Sequence, residues 1–293
     1  MSETDPAPPR VSVVLPVRNG ERFLQEALDS VFAQTFTDFE LICVDDASSD
    51  DSPAILSAAA LREPRIRIVT NANRQGLPAS LNIGSALARG ALHTWVSDDN
   101  VLQPPMLARL VSQLGERPEC AIAYAAYREI DGAGTVIVRH RARHPRDLLQ
   151  CNVVGPAFLY QATVWQSLGG YDESLQGVED YDFWLRARHR FGMCALDEEL
   201  LDYRLHPSSM TARHGAEIAS LHDRLLEREI PMEPDRTQRA RGWLALMLQG
   251  MDPSRLRYAA RALLAHPPTA AAHLRGTLRW LRAALATSRH SPY

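Results

Sequence analysis

The chain has 293 residues, 45% hydrophobic and 23% charged, with a net charge of −3. These values exclude a disordered, collagen-like or dedicated nucleic-acid-binding chain, and the length suits one large α/β domain or two smaller ones. All 32 basic residues are arginine, which reads as the codon bias of a GC-rich genome.

Charge is distributed unevenly: from Met251 onward there are seven Arg and one Asp, so that tail is +6 and the remainder −9. Cys43, Cys120, Cys151 and Cys194 form no Cys-x-x-Cys or Cys/His cluster. Neither a zinc site nor a disulfide framework is expected, and Cys43 and Cys120 are expected in the core. Residues 1–10 are polar and Pro-rich, without the apolar segment of a secretory signal, and are expected to be disordered. No apolar run reaches membrane-spanning length. The expected setting is reducing and cytoplasmic, with a peripheral seat on the inner face of the membrane as the alternative.

Residues 11–15 predict a short apolar strand stopped by Pro16, followed by a turn at Val17-Arg18-Asn19-Gly20. Phe23, Leu24, Ala27, Leu28, Val31 and Phe32 recur at helical spacing. Residues 41–44 predict a buried strand ending at Asp45-Asp46. Ser49 to Pro53 then offers caps and an N1 proline for a helix to about Leu61. Residues 66–69 predict a third strand, and Asn73-Arg74-Gln75-Gly76-Leu77 a loop leading into a helix over 78–88. A fourth strand runs into Ser97-Asp98-Asp99-Asn100. For those last residues, a solvated turn capping the next helix, ahead of Pro104-Pro105, is the plain structural alternative.

Residues 121–127 predict a strand, Asp131 to Gly134 a hairpin turn, and 135–138 the return strand. Residues 139–146 carry four Arg and two His without an apolar stripe, which predicts an exposed, mobile connection. Gly169-Gly170 predicts a helix stop, and Glu179 the start of a helix that turns Phe183 and Trp184 to the core. The region after about residue 215 reads as helical. There Leu274, Leu278, Trp280, Leu281 and Leu285 alternate with Arg275, Arg279 and Arg282. Such a basic amphipathic helix either lies on an anionic membrane or packs on the catalytic domain or a dimer partner.

Alternating strand and helix predicts a mostly parallel sheet flanked by helices, with ligands at the carboxyl ends of the strands. The polar clusters Arg18-Asn19, Asp45-Asp46, Asn73-Arg74 and Asp98-Asp99 fall at those ends. No glycine-rich dinucleotide or P-loop motif follows any strand.

Five motifs stand in order: Val13-Val14-Leu15-Pro16-Val17-Arg18-Asn19-Gly20, Ser30-Val31-Phe32-Ala33-Gln34-Thr35-Phe36, Val44-Asp45-Asp46-Ala47-Ser48-Ser49-Asp50, Asn73-Arg74-Gln75-Gly76-Leu77 and Ser97-Asp98-Asp99-Asn100. Together they resemble the motif set of the family 2 glycosyltransferases, inverting enzymes of GT-A fold, over roughly residues 11–210. The resemblance implies a Rossmann-like, mostly parallel α/β sheet with a C-terminal helical extension. Its implied division is a nucleotide-binding half over 11–100, an acceptor and catalytic half over 101–214, and a helical region over 215–293.

The resemblance also implies roles. Asp46 would accept the imide N–H of a uracil or thymine base, supported by Asp45. Arg74 would contact the base or the diphosphate, and Pro16, Val17 and Asn19 would line the base pocket. Asp99 would coordinate Mn²⁺ or Mg²⁺, and Asp98 would bind the ribose or the donor sugar; Asn100 replaces a third carboxylate. Glu179-Asp180 resembles the family's Glu-Asp motif, with Asp180 as catalytic base and Glu179 orienting it, Asp182 being a weaker alternative; the helix dipole alone would also favour these acids. Tyr203-Arg204-Leu205-His206 resembles a Tyr-Arg-x-His element whose imidazole completes the metal sphere or binds a phosphate. Ser208, Ser209 and Thr211 would close over the diphosphate.

The activity so implied is transfer from a UDP- or dTDP-sugar to a hydroxyl of a saccharide or lipid-linked saccharide in cell-surface polysaccharide synthesis. A nucleotide-sugar or glycan-binding protein without catalysis is the alternative. A nucleotidyltransferase would share the sheet but lacks its glycine-rich, basic loop here. Homodimerisation and peripheral membrane contact stay open.

Overall fold

The structure is a computed structural model that describes residues 7–249, 255–273 and 275. The first half builds β1 (Val11–Val17), α1 (Leu24–Phe32), β2 (Phe39–Asp45), α2 (Ser52–Ala60), β3 (Ile66–Thr70), α3 (Leu77–Leu87) and β4 (Leu92–Trp95). Strands β1 and β2 are buried along their whole length. Their near-continuous apolar runs are what a parallel sheet covered on both faces requires.

Pro16 does not stop β1; it pairs with Val44 inside the strand. Pairing of β1 with β4 ends at Val14, so a residue without an N–H is tolerated two positions later. Strand β4 likewise ends at Trp95, which leaves Asp98 and Asp99 on the following loop. That loop does not cap the next helix. A two-residue strand β5 (Val101–Leu102) intervenes, and Pro105 holds the N-cap position of α4 (Met106–Glu116).

The second half adds β6 (Cys120–Ile130), β7 (Val136–His140), β8 (Phe158–Gln161), α5 (Ala162–Leu168), α6 (Glu179–Ala187) and β9 (Gly192–Arg204). The sheet order is β3-β2-β1-β4-β8-β6-β9-β5, with β7 beside β6. Strands β1 to β4 are parallel, β8 runs against β4 and β6, and β9 runs parallel to β6. Gly169 ends α5 in the left-handed conformation, φ 71°, which costs a residue without Cβ least.

Two expectations fail in this half. Residues 139 and 140 belong to β7 rather than to a loose connection: Arg139 pairs with Glu199, and the His140 ring stacks on Tyr127. Cys120 and Cys194 are joined as a disulfide, whereas their spacing predicted no framework. Register explains the pairing: β6 and β9 are neighbours, Cys120 opposite Gly192 and Ala123 opposite Cys194, with a bulge after Cys120. The partners lie 74 residues apart, which hides them from any local pattern. Cys43 and Cys120 are both core residues as expected.

Two compact units result, Met1–Pro145 with Val153–Ala219 and Arg146–Asn152 with Ser220–Tyr293. The first is centred on the sheet, with Val13, Leu15, Leu28, Leu41 and Cys43 fully buried. The second contains α8 (Arg236–Leu248), capped by the Asp235 carboxylate, and α9 (Leu256–Ala265). Trp243 of α8 stacks on Tyr258 of α9 at 5.7 Å. Between the sheet and α8 the chain forms α7 (Met210–Glu229), which is kinked at His214. The expected amphipathic stretch at Leu274, Leu278, Trp280, Leu281, Leu285, Arg279 and Arg282 lies outside the described residues. Among the described residues no helix is long and apolar enough to cross a membrane.

Candidate active site

The site is assembled where parallel strands end. Hydrogen bonds clasp the loop after β1 to the loop after β2. Asn19 N–H donates to Ser48 Oγ (3.0 Å), Gly20 N–H to Ser52 Oγ (2.9 Å) and Glu21 N–H to Asp50 (3.0 Å). In return, Asn19 Oδ1 accepts from Ser49 N–H (2.9 Å). Asn19 and Ala47 take positive φ, 54° and 56°, which is costly without glycine and is held by this clasp.

Asp46 closes the next junction. Its carboxylate accepts from Asn71 Nδ2 (2.8 Å), Gln75 N–H (2.7 Å) and Gly76 N–H (2.9 Å). It therefore organises the loop that carries Arg74. Gly76 sits at φ 95°, and an added Cβ would come 3.0 Å from Gln176. Asp45 turns inward and accepts Ser48 N–H (3.0 Å) in a local turn.

The loop after β4 holds the two adjacent acids. Burial and the charge of Asp99 push the Asp98 carboxyl up to about 7, although Arg18 N–H donates to it (3.2 Å). Gly20 has no room for a Cβ, because the Asp98 carboxylate occupies that space. Asp99 is also raised by burial, partly offset by His206, whose Nε2 lies 3.0 Å from Asp99 Oδ2. The other ring nitrogen meets Ser208 Oγ at 2.7 Å.

Arg204 fixes this arrangement from beneath. Its side chain is buried, with Nε donating to the Asp99 carbonyl (2.9 Å) and Nη2 to Glu26 (2.6 Å). The guanidinium lies 4.6 Å from the centre of the Phe23 ring, and Phe23 packs against His206 at 5.0 Å. The Arg204 N–H donates to Asn100 Oδ1 (3.0 Å), so Asn100 acts as a structural acceptor rather than a third metal carboxylate.

Helix α6 begins with Glu179, Asp180 and Asp182 in its first turn. Glu179 is buried and accepts Gly177 N–H (2.5 Å); burial and the charge of Asp180 raise it well above the usual carboxylate range. Asp180 accepts Tyr181 N–H (2.6 Å) and remains half-exposed. Asp182 is buried and bonded to Arg186 (2.7 Å), which removes it as a candidate base. The Tyr203 phenol is raised first by burial, with smaller contributions from the charges of Asp99 and Asp180.

A cavity of about 480 Å³ opens here. Pro16, Val17, Asn19, Asp46, Arg74, Asp98, Asp99 and His206 line it, with Ser208 and Ser209. Asp45, Glu179 and Asp180 are not among its lining residues, and Thr211 sits instead in the first turn of α7, its hydroxyl 3.4 Å from that of Tyr203. Arg18, placed by the sequence in a polar cluster at a strand end, also lines the cavity, and sequence reading missed Arg22, Gln176, Arg213 and His214, which line it too. Arg204 and Glu26 were missed as well; 178 residues separate them, and no local pattern marks the pair.

The cavity brings Asp99 and His206, which could hold a cation, together with Arg22, Arg74 and Arg213, which could receive an anion. Residues 12–169 match the model of Glycosyl transferase family 2. An uncharacterized glycosyltransferase of Rickettsia prowazekii is 28% identical over 69% of this chain, and the match spans 66% of that relative's own length. An uncharacterized protein of Mycobacterium tuberculosis is 32% identical, covering 75% of each chain. Among solved structures, Staphylococcus aureus TarS 1–349 in complex with UDP-GlcNAc superposes with a TM-score of 0.69 at 17% identity, over 94% of this chain and 87% of that one. The mannosyltransferase PcManGT from Pyrobaculum calidifontis, in complex with GDP-Man and Mn²⁺, gives 0.57 at 20% identity, over 97% and 80%. The fold is therefore GT-A, and the chain belongs to Glycosyl transferase family 2.

Proposed function

We propose that the chain is an inverting, metal-dependent glycosyltransferase. It moves a sugar from a UDP- or dTDP-linked donor to a hydroxyl of a glycan or glycolipid in cell-surface polysaccharide synthesis. One observation carries the reading: Asp99 and His206 meet at 3.0 Å inside a polar cavity at the strand ends, beside arginines that suit a diphosphate.

The residues fit a divalent ion. Burial first and the neighbouring Asp99 charge second disfavour an ionised Asp98, and a cation beside the two acids would offset both. Arg204 does not take the cation's place, because it bonds the Asp99 carbonyl and Glu26. Asp99 and His206 would hold Mn²⁺ or Mg²⁺, oxygen and imidazole donors that suit such ions. An ion held there would supply positive charge that offsets the charge of a departing diphosphate.

Arg74 contributes a planar fork for the base or a phosphate. Asp46 and the wall of Pro16, Val17 and Asn19 receive the base, and Asp98 accepts from the ribose or the sugar. Asp180 takes the acceptor hydroxyl's proton as its oxygen attacks the anomeric carbon from the face opposite the leaving phosphate, which inverts that centre. Glu179, buried and raised, orients Asp180.

Replacing Asp180 by Asn tests the mechanism. Donor binding should persist while transfer falls by roughly 10²–10⁴. Unchanged turnover in Asp180→Asn would remove that residue from the chemistry. Loss of donor binding together with turnover would make it a donor-site residue.

A further inference from the structure

We infer that α9 is a docking face for an anionic lipid surface. This goes beyond the transfer chemistry and rests on different residues.

Among the described residues, helix α9 is packed on one side. Tyr258, Ala262 and Ala265 are buried, and Tyr258 stacks on Trp243 of α8. The opposite side is apolar too. Leu256 is 66% exposed, Leu263 40% and Leu264 81%, with Ala260 also exposed between them. Positions 256, 260, 263 and 264 follow the i, i+4, i+7, i+8 spacing, so they share one stripe. At the end of α8, Leu248 is 48% exposed. A lone exposed leucine needs no explanation, but a leucine stripe along one helix does.

Charge selects the occupant. Arg257 and Arg261 lie one position beyond Leu256 and Ala260, along one flank of the stripe. The sequence holds no Asp or Glu after Asp252, and from Met251 onward seven Arg against that one Asp give +6 in a chain whose total is −3. Arg257 reaches Glu227 at 3.2 Å yet stays 57% exposed, and Arg261 covers the Trp243 ring at 4.7 Å. Asp223 is already taken by Arg255. An aliphatic stripe flanked by arginines suits an interfacial helix, with leucines among acyl chains and guanidinium groups at the headgroups. The positive excess favours anionic headgroups over neutral ones.

The test is flotation of the full chain with vesicles of phosphatidylcholine alone and of phosphatidylcholine containing phosphatidylglycerol. The expected result is binding to the anionic vesicles that weakens about tenfold or more between low and high salt. The triple variant L256S/L263S/L264S should lose about tenfold or more of that binding, with circular dichroism unchanged. Should the triple variant unfold, L264D alone tests the same stripe at its most exposed residue. R257Q/R261Q should weaken binding to anionic vesicles by about tenfold. The inference is overturned if the chain ignores both vesicle types, or if a folded leucine variant binds as the parent does. A dimer that depends on these leucines, in a chain that does not float, would also overturn it and assign the stripe to a second copy.

Discussion

Replacing Arg204 by Met removes the support under the acidic loop while keeping most of the buried side-chain volume. Three losses can be weighed. The Asp99 carbonyl loses its charge-assisted donor at 2.9 Å, and a buried acceptor left without a partner costs about 1–3 kcal/mol. The contact with the Phe23 ring at 4.6 Å contributes roughly 1 kcal/mol. Glu26 is 55% exposed and rehydrates when released, so its ion pair adds under about 1 kcal/mol. Part of this is offset because a buried guanidinium no longer has to be desolvated. The expected net loss is about 3 kcal/mol, read as a lower urea midpoint at unchanged slope. Arg204→Lys keeps the charge but not the fork, and should lose about half as much. Metal affinity should fall in step, by about tenfold in Mn²⁺ titration, because Asp99 and Phe23 position His206. A loss under about 1 kcal/mol with unchanged Mn²⁺ affinity would refute the reasoning.

Glu179→Gln should stabilise the metal-free protein increasingly as pH rises. The folded carboxyl is raised, so between the unfolded value near 4.3 and the folded value the native state binds more protons, and wild-type stability falls with pH across that window. The variant removes this slope, giving similar stability at pH 4 and a gain of about 1 kcal/mol or more at pH 8; denaturant melts at both pH values measure it. Glu40 has the opposite sign. It is buried and accepts from Ser12 Oγ, Arg89 N–H and the Arg67 and Arg89 guanidiniums, which hold it below the usual range despite burial. Its contribution is present above pH about 4.5 and is lost as pH falls through the folded value. Glu40→Gln should cost about 2–4 kcal/mol at pH 7, and the cost should shrink as pH falls below about 4.5.

The order of strands and helices was legible because each element of the first half carries its own periodicity. Residues 41–44 read as a buried strand because a short apolar run is bounded by turn residues, and Gly169-Gly170 as a helix stop. Asp98-Asp99 stood out as a candidate site because it closes an ordered set of five motifs, not because of the charge pair alone. What escaped was set by contacts distant in sequence. Arg204 looks like a surface arginine until β9 brings it under Asp99, and Asn100 looks like a missing carboxylate until it is seen to accept the Arg204 N–H. Strand β1 runs through Pro16 because its neighbour on one side has already stopped. The Cys120–Cys194 bridge depends on a bulged parallel register that neither segment encodes alone.

The most direct measurement is calorimetric titration of UDP into the protein with and without Mn²⁺, repeated for Asp99→Asn. The account predicts binding that Mn²⁺ strengthens at least tenfold in the wild type, and a variant in which the ion makes no difference. Equal affinity with and without the ion in the wild type, or an undiminished Mn²⁺ effect in Asp99→Asn, would contradict it.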